Sequence, residues 1–299
     1  MPEGDSVYQL ARRLQWLTGR IILRSDLRVP AFATVDFRGR RVEAVWPYGK
    51  HLFIQCGEDI LHTHLAMEGR WDVHRRGERW RRPGHTARVV LEIEGNTGEE
   101  VIELVGYQLA RVDVFPARSY YEKIGYLGPD ILAPDWQEGG REEAIARILA
   151  SPGIPIGVAL LDQRMVAGIG NEYRAEVCFI CGVHPARLVG ELGASAVEEI
   201  IDCAHRIMMA NRDAPLRVTT GVRRAGESTY VFGRNHRPCR RCQTPIVTGW
   251  LGPRTSGDNQ DRVIWWCPHC QPAPDAAAPD AAAPSTPPSP EGRGSSEGE

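Results

Sequence analysis

The chain has 299 residues, enough for two or three domains, and its 42% hydrophobic and 25% charged residues are the balance of a water-soluble globular protein. No apolar run approaches the ~18 residues that cross a bilayer, so no membrane partner is expected. Residues 1–10 hold two acids and no base, which argues against a secretory or transit peptide, and eight cysteines without a leader point to a reduced cytosol. The net charge of −2 hides an asymmetry: residues 271–299 carry five acids and one base, and the remainder has 35 basic and 33 acidic residues. Between Cys203 and Cys270 stand eleven arginines against four acids, which suggests a polyanionic partner.

In chain order, Val7, Leu10, Ala11, Leu14 and Leu17 form a helical stripe over residues 6–17, with Gly19 as a stop. The period then changes. Residues 41–46, 51–56, 60–64, 70–74, 87–93, 101–105 and 111–115 are short runs rich in Val, Ile, Leu and aromatics. Turns such as Pro47-Tyr48-Gly49 and Gly95-Asn96 separate them, the pattern of an antiparallel sandwich or barrel. From about 134 to 211 the pattern is helical again, with helices expected at 142–150, 156–164, 172–180 and 194–211. A Gly/Arg-rich stretch leads to a cysteine-bearing module. Residues 272–299, all Pro, Ala, Ser, Gly and similar residues with acids, lack the apolar surface to offset their ordering entropy and read as disordered.

The strongest local motif is Cys239-x-x-Cys242 with Cys267-x-x-Cys270, two corners of a tetrahedral four-thiolate site for one structural Zn2+. Its 24-residue spacer exceeds the usual ~15–20 and holds a turn-like middle between candidate strands at 244–250 and 262–266, a zinc ribbon with an extended tip. Cys178-x-x-Cys181 stands alone in a helical segment and reads as core thiols, as do Cys56 and Cys203. His62 and His64 alternate on one strand face, with no third ligand evident, and read as structural histidines. Around Gly168-Ile169-Gly170-Asn171 a helix runs into two glycines, and Asn171 is the expected N-cap of the next, a setting suited to phosphate.

Pro2 follows the initiator methionine, which is normally trimmed before proline. A free terminal amine has an ordinary pKa of about 7.7–8.0, so a usable fraction is unprotonated near neutrality. A secondary amine attacking an aldehyde-like carbon gives an iminium, an electron sink for elimination, and the adjacent Glu3 can move protons. Only two of the 36 basic residues are lysine, Lys50 and Lys123. A lysine retained in an arginine-rich chain points to a need for an amine that can lose its proton, a role assigned to Lys50 rather than Lys123.

Taken together, Met1-Pro2-Glu3-Gly4-Asp5, Gly49-Lys50-His51-Leu52, His64-Leu65-Ala66-Met67-Glu68-Gly69, Leu160-Leu161-Asp162-Gln163 through Gly168-Ile169-Gly170-Asn171, and the four-cysteine ribbon occur in order. The chain over residues 1–271 resembles the formamidopyrimidine-DNA glycosylase / endonuclease VIII family of base-excision repair, and is most like actinobacterial endonuclease VIII. The resemblance implies an α+β fold. Residues 1–130 would form an N-terminal helix plus antiparallel β-sandwich, and 131–229 a helical domain with a helix–two-turns–helix motif. Residues 230–271 would form the zinc ribbon, and 272–299 a disordered tail.

It further implies a bifunctional DNA glycosylase and AP lyase that flips the damaged base out of the stack. Pro2 would attack the anomeric carbon and form a Schiff base, with Glu3 as proton donor. Lys50 would serve β-elimination and phosphate contact, and Arg262 would grip phosphates and assist δ-elimination. Asn171 would bind phosphate, and Met67 would fill the gap left by the flipped base. Departures are Ala66 in place of a glutamine, Tyr126 in place of a basic residue, and the long ribbon spacer. Residues 106–115 lack the Arg-Arg-Phe cluster of the formamidopyrimidine branch, which favours oxidised pyrimidines over oxidised purines. The expected partner is damaged double-stranded DNA, with single-stranded or bubble DNA as alternatives. The protein is expected to be monomeric and cytoplasmic at the nucleoid, its tail available to other repair proteins. Two rival readings are an 8-oxoguanine-type glycosylase and a non-catalytic zinc-ribbon nucleic-acid binder.

Overall fold

A computed structural model describes residues 2–95, 100–252 and 262–274. Helix α1 (Gly4–Arg13) forms where the stripe places it. Val7, Leu10, Ala11, Leu14 and Leu17 are all buried, and the chain leaves through a 3-10 turn, Gln15–Leu17, to Gly19 at φ +86. Eight strands follow: β1 (Ile22–Leu27), β2 (Val42–Tyr48), β3 (His51–Cys56), β4 (Asp59–His64), β5 (Arg70–Arg75), β6 (Ala87–Glu94), β7 (Val101–Tyr107) and β8 (Arg111–Pro116). They make two four-stranded antiparallel sheets, ordered β1-β6-β7-β5 and β2-β3-β4-β8, a sandwich rather than a barrel. Strand β1 has no sequence expectation behind it. It is an edge strand with a bulge between Ile22 and Arg24, and only Ile22 and Leu27 are buried, so neither alternation nor an apolar run marks it.

Ile22, Val89, Leu91, Ile93 and Leu104 of one sheet meet Val42, Val45, Leu52, Ile54 and Leu61 of the other, with α1 closing the core. Each such side chain contributes about 1.5–3 kcal/mol on leaving water. The outer face of the second sheet is covered as well. Helix α2 (Tyr120–Ile124) lays Tyr120 and Ile124 on Phe53, Ile60 and Phe115. Strand β3 is therefore buried on both faces, which is why 51–56 reads as a continuous apolar run.

The helical part comprises α3 (Gly140–Leu149), α4 (Ile156–Ala159), α5 (Asn171–Ile180) and α6 (Val189–Asn211). In α6 the left-handed Gly193 (φ +75) interrupts the first turn, so the regular helix starts at Ala194, as expected. The helix expected at 156–164 ends instead at Ala159. Asp162 accepts the backbone N–H of Arg164 (2.9 Å) and its side chain, a local turn that competes with helix continuation. Helix α5 belongs to two cores: Tyr173 and Val177 face the helical cluster, and Ala175 and Phe179 pack on the ribbon's Val231, Ile246 and Ile264. The ribbon hairpin is β9 (Val247–Leu251) with β10 (Arg262–Trp266). Its first strand starts at Val247 rather than 244, because Thr244 and Ile246 bond backward to Cys239, Arg237 and His236. The extended ribbon tip, the turn beyond Gly95 and all but the first residues of the tail lie outside the described residues.

Candidate active site and metal centre

Three segments distant in sequence converge on the N-terminus of α5. The backbone N–H of Gly4 donates to the carbonyl of Gly168 (2.9 Å). Glu3, fully buried, reaches past Gly4 to α5: one carboxylate oxygen accepts from the N–H of Gly170 (2.7 Å) and of Tyr173 (3.4 Å), the other from Glu172 (2.8 Å). A helix start leaves its first N–H groups unpaired and carries partial positive charge, and a carboxylate answers both. Asn171 is therefore not the N-cap. Gly170 occupies that position, and the capping oxygen atoms come from Glu3, across 167 residues of chain.

The fit leaves no room for a side chain at Gly170, since a Cβ there would stand 2.2 Å from the Glu3 carboxyl carbon. Gly170→Ala is therefore expected to displace Glu3. Single-turnover cleavage of an abasic duplex should fall by about 100-fold, the scale of a lost proton-transfer group, with a lower melting temperature. Unchanged cleavage would refute this placement of Glu3.

The β2–β3 turn is the third segment. Gly49 (φ +55) packs so closely on Ala167 that a Cβ would approach its side chain to 2.8 Å, and Tyr48 donates to the Gly128 carbonyl (3.0 Å). Asp130, buried, accepts the Leu132 N–H (3.0 Å) and also the N–H of Gly49. The turn sets Lys50 near enough to Glu3 and Arg262 for their charges to act on it. Burial lowers the Lys50 ammonium to about 8; Glu3 opposes this, and the cations Arg262, Arg174 and Arg217 add to it.

Asn171 and Arg174 tie α5 to the ribbon. Asn171 Nδ2 donates to the carbonyl of Val263 (2.9 Å), and its buried Oδ1 has no partner among the described residues. The fully buried Arg174 donates to the carbonyls of Gly157 (3.2 Å), Leu251 (3.3 Å) and Arg262 (3.2 Å). Arg262 thus starts β10 at the site with its side chain exposed. Met67 stands apart on the β4–β5 loop and is 64% exposed. Gly69 closes this loop by donating to the Leu65 carbonyl (2.8 Å), and a Cβ there would strike that oxygen.

His62 and His64 do have a third histidine beside them. Strand register sets His51 opposite His64, and His51 Nδ1 lies 2.9 Å from His62 Nε2. The residue is adjacent in space only, so the spacing of 62 and 64 gave no sign of it. Burial, aided by neighbouring histidines and cations, lowers His51 to about 2 and His62 and His64 to about 4, leaving all three neutral near pH 7. They are structural: among the described residues, only Cys239, Cys242, Cys267 and Cys270 group three or more ligand atoms tightly enough for one ion, all within 4.8 Å.

Sulfur separations of 3.4 Å (Cys242–Cys267), 3.5 Å (Cys242–Cys270) and 3.9 Å (Cys239–Cys270) bracket the roughly 3.8 Å edge of a tetrahedron with ~2.3 Å metal–sulfur bonds. The N–H groups of Arg241 and Cys270 point at Cys239 and Cys267 sulfurs (3.4 and 3.5 Å), as thiolates require. Cys178 and Cys203 are core thiols, and Cys181 lies at the edge of that cluster.

Asp5, Arg217 and Glu176 are absent from the sequence expectations. Glu176, fully buried, accepts the N–H groups of Tyr230 (2.7 Å), Val231 (2.8 Å) and Phe232 (2.8 Å) and so anchors the segment that leads into the ribbon. An acid spaced four residues after Glu172 on a helix looks like a solvated face, and nothing local marks it as buried.

The formamidopyrimidine-DNA glycosylase N-terminal domain matches residues 1–113, and the H2TH domain of formamidopyrimidine-DNA glycosylase matches 127–214. Probable endonuclease 8 2 of Streptomyces coelicolor is 44% identical over 277 residues, covering 92% of this chain and 95% of the relative. The DNA-(apurinic or apyrimidinic site) lyase Nei2 of Mycolicibacterium smegmatis is 39% identical over 274 residues, covering 91% and 100%. The formamidopyrimidine-DNA glycosylase of Lactococcus lactis, bound to DNA containing an AP site, superposes with TM-score 0.70 at 20% identity over 91% of this chain and all of that one, which shows a shared fold. By its sequence, its two matched domains and its architecture, the chain belongs to the formamidopyrimidine-DNA glycosylase / endonuclease 8 family.

Proposed function

We propose that this protein is a bifunctional DNA glycosylase and AP lyase of base-excision repair that works through the N-terminal amine of Pro2. The observation that carries the reading is the seating of Glu3 on α5, which holds the residue next to Pro2 within electrostatic reach of Lys50. In the proposed reaction the unprotonated Pro2 amine bonds to the anomeric carbon of a flipped nucleotide, and the base departs with the glycosidic electron pair. Glu3, seated as a carboxylate, takes the proton that the Pro2 nitrogen sheds and passes it to the sugar-ring oxygen, which opens to the iminium. Loss of a C2′ proton, with Lys50 as the amine at hand, then expels the 3′ phosphate, and a second elimination expels the 5′ phosphate. Arg262 and Asn171 contact phosphates, and Met67 enters the vacated stack. Residues 1–130, 131–229 and 230–271 act as catalytic, helix–two-turns–helix and ribbon units, and 272–299 as an appended tail.

We further propose Zn2+ as the ribbon ion: four thiolates saturate it, so it organises the fold and leaves no open position for water. Oxidised pyrimidines are the proposed main substrates. The β7–β8 connection is only Gln108-Leu109-Ala110; Leu109 is buried, and Gln108 donates to Glu68 (2.8 Å) beside Met67. That leaves Met67 as the apolar wedge of this loop pair. Among the described residues no helix is long and apolar enough to cross a membrane, and the proposed setting is the cytoplasmic nucleoid.

Borohydride trapping on labelled duplexes with an abasic site, a thymine glycol, or an oxidised guanine opposite cytosine tests the reading. Borohydride reduces the iminium to a permanent protein–DNA bond. An adduct mapping to Pro2, strongest on abasic and thymine glycol substrates, is expected. An oxidised-guanine preference would select the purine branch, and no adduct from binding-competent, metal-loaded protein would select the non-catalytic binder.

Lys50 gives a prediction of opposite sign for stability and activity. Its folded value of about 8 lies below the ordinary 10.5, so the unfolded chain holds more protons between those values. Stability from this group rises with pH across about 8 to 10.5 and is absent below 8, where the charged amine is held at a cost. Lys50→Met keeps the aliphatic stem and is expected to stabilise the DNA-free protein by about 2 kcal/mol at pH 7, a gain that vanishes above pH ~10.5, while strand cleavage is lost. Thermal melts at pH 7 and pH 10.5 check the sign; equal or lower stability at pH 7 would contradict it.

A further inference from the structure

A buried charge cluster joins the N-terminal segment to α5, and most of it lies outside the proposed chemistry. Asp5, in the first turn of α1, accepts two bonds from Arg217: Nε to Oδ2 at 2.8 Å and Nη2 to Oδ1 at 2.5 Å. The same guanidinium donates to the Ser6 hydroxyl (3.0 Å) and, through Nη1, to Glu172 in the first turn of α5 (2.6 Å). Nη1 also lies 3.9 Å from Glu3 Oε1. The Arg217 side chain is 12% exposed, its plane sits 4.8 Å from the Tyr173 ring centre, and Tyr173 donates its hydroxyl to Asp5 (2.9 Å).

The loop that carries Arg217 is fixed on both sides. Asn211 receives the Val218 N–H (2.8 Å) and donates to its carbonyl (2.9 Å), and Gln9 of α1 donates to the carbonyls of Asn211 (3.1 Å) and Ala214 (2.9 Å). Arg217 is thus delivered to a preset place, with three carboxylates from two helix starts arranged around one guanidinium.

We propose that Arg217 is a positioning residue for the Schiff-base chemistry: it holds the carboxylates of Glu3, Asp5 and Glu172 together and so fixes the Pro2–Glu3 pair against α5. Without it, the buried Glu3 and Asp5 and the partly buried Glu172 would crowd two helix N-termini. Repulsion would favour uptake of a proton and would push the N-terminal segment away from α5. The other charged or titratable groups facing the cluster are Lys50 from the β2–β3 turn, Arg174, Tyr173 and Glu176 from α5, and Arg262 from β10. Among the described residues none of these cations bonds to Asp5, whose direct fork comes from Arg217. Burial already pushes Glu172 upward, with Glu3 adding and Arg217 opposing, in keeping with this division of labour.

The inference rests on the Pro2–Glu3 reading, so the test separates the two. Full-length, metal-loaded protein is assayed in single turnover on an abasic duplex between pH 5 and 9, with borohydride trapping and DNA affinity measured in parallel. In Arg217→Met the acid limb of the rate is expected to move up by about one pH unit and the rate at pH 7 to fall about tenfold or more, with affinity within about threefold. Arg217→Lys, which keeps the charge but not the planar fork, should hold the limb in place and lose only about fivefold. Asp5→Asn, with one carboxylate fewer, should move the limb to lower pH, and adding it to Arg217→Met should bring the limb back toward the wild-type position.

If Arg217→Met does not fold, the Asp5→Asn shift and the Arg217→Lys profile decide alone. A wild-type adduct on Pro2 with unmoved limbs in these variants would overturn the role of Arg217 only. Absence of any wild-type adduct would overturn the Pro2 reading, and the positioning role with it.

Discussion

A protein whose N-terminus is extended, by retaining Met1 or by a short tag, is expected to lose AP-lyase turnover by at least about 1,000-fold while binding an uncleaved abasic analogue within about threefold of wild type. The reasoning is chemical before it is structural. A terminal proline offers a secondary amine with a lone pair; the same nitrogen inside a peptide bond has none to offer, because it is delocalised into the carbonyl. The structure supplies the second half of the argument. Glu3 and Gly4 are held by Gly168, Gly170, Glu172 and Tyr173 through bonds that do not involve the Pro2 nitrogen. An extension should therefore leave the cleft assembled. Mass spectrometry of the N-terminus, single-turnover cleavage and fluorescence anisotropy check the three parts. Equal turnover with a blocked terminus would remove the amine from the mechanism, and joint loss of binding and turnover would mean that the extension had disturbed the fold instead.

The second large effect is expected on removing the ribbon's metal. With the ion gone, four cysteines within 4.8 Å of one another no longer close the module, whose fully buried apolar side chains besides cysteine are Val231, Ile246 and Ile264 against Ala175 and Phe179, with Tyr230, Phe232, Leu251, Trp265 and Trp266 only partly buried around them. Structural zinc contributes about 10–16 kcal/mol in isolated zinc-finger peptides, so its loss removes a term at least as large as this cluster of mostly half-buried side chains supplies. Unfolding of 230–271 would take Arg262 out of the cleft. It would also strip the Leu251 and Arg262 carbonyls from Arg174, leaving a fully buried guanidinium with one carbonyl partner. The damage therefore extends into α5, the helix on which Glu3 is seated. Chelation, or Cys267→Ser, is expected to lower DNA affinity by about 100-fold or more and to lower the melting temperature, with one equivalent of metal lost by elemental analysis. Cys178→Ala, in the core of the helical part, should retain that equivalent. Metal-free protein that binds and cleaves normally would show the ribbon to be dispensable.

These expectations differ in how much of each was legible in the chain. The α1 stripe, seven of the eight sandwich strands and the ribbon cysteines each announce themselves through local periodicity or spacing. Strand β1 does not, because an edge strand with a bulge exposes most of its side chains. The shortened α4 is a competition between helix propensity and the Asp162–Arg164 turn that a pattern of apolar residues does not register. Residue type marks Asn171 as a cap, yet the cap that forms is the carboxylate of Glu3, since a buried charged acceptor satisfies three N–H groups where an amide oxygen would satisfy fewer.

Residue types and short spacings set which chemistries are available: a proline that offers a secondary amine once Met1 is removed, beside a carboxylate, a rare lysine after a Pro-Tyr-Gly turn, and four cysteines spaced as two corners. Those are properties of residue types and short spacings, and they survive without knowledge of the fold. The environment of each group comes from contacts across the fold. Strand register placed His51 against His62 and His64, helix packing buried Glu176 and Arg174, and the loop after α6 brought Arg217 back 212 residues to Asp5. The reason is physical: burial and charge pairing are set by what approaches from elsewhere in the chain, and a long-range approach leaves no period in the sequence that makes it.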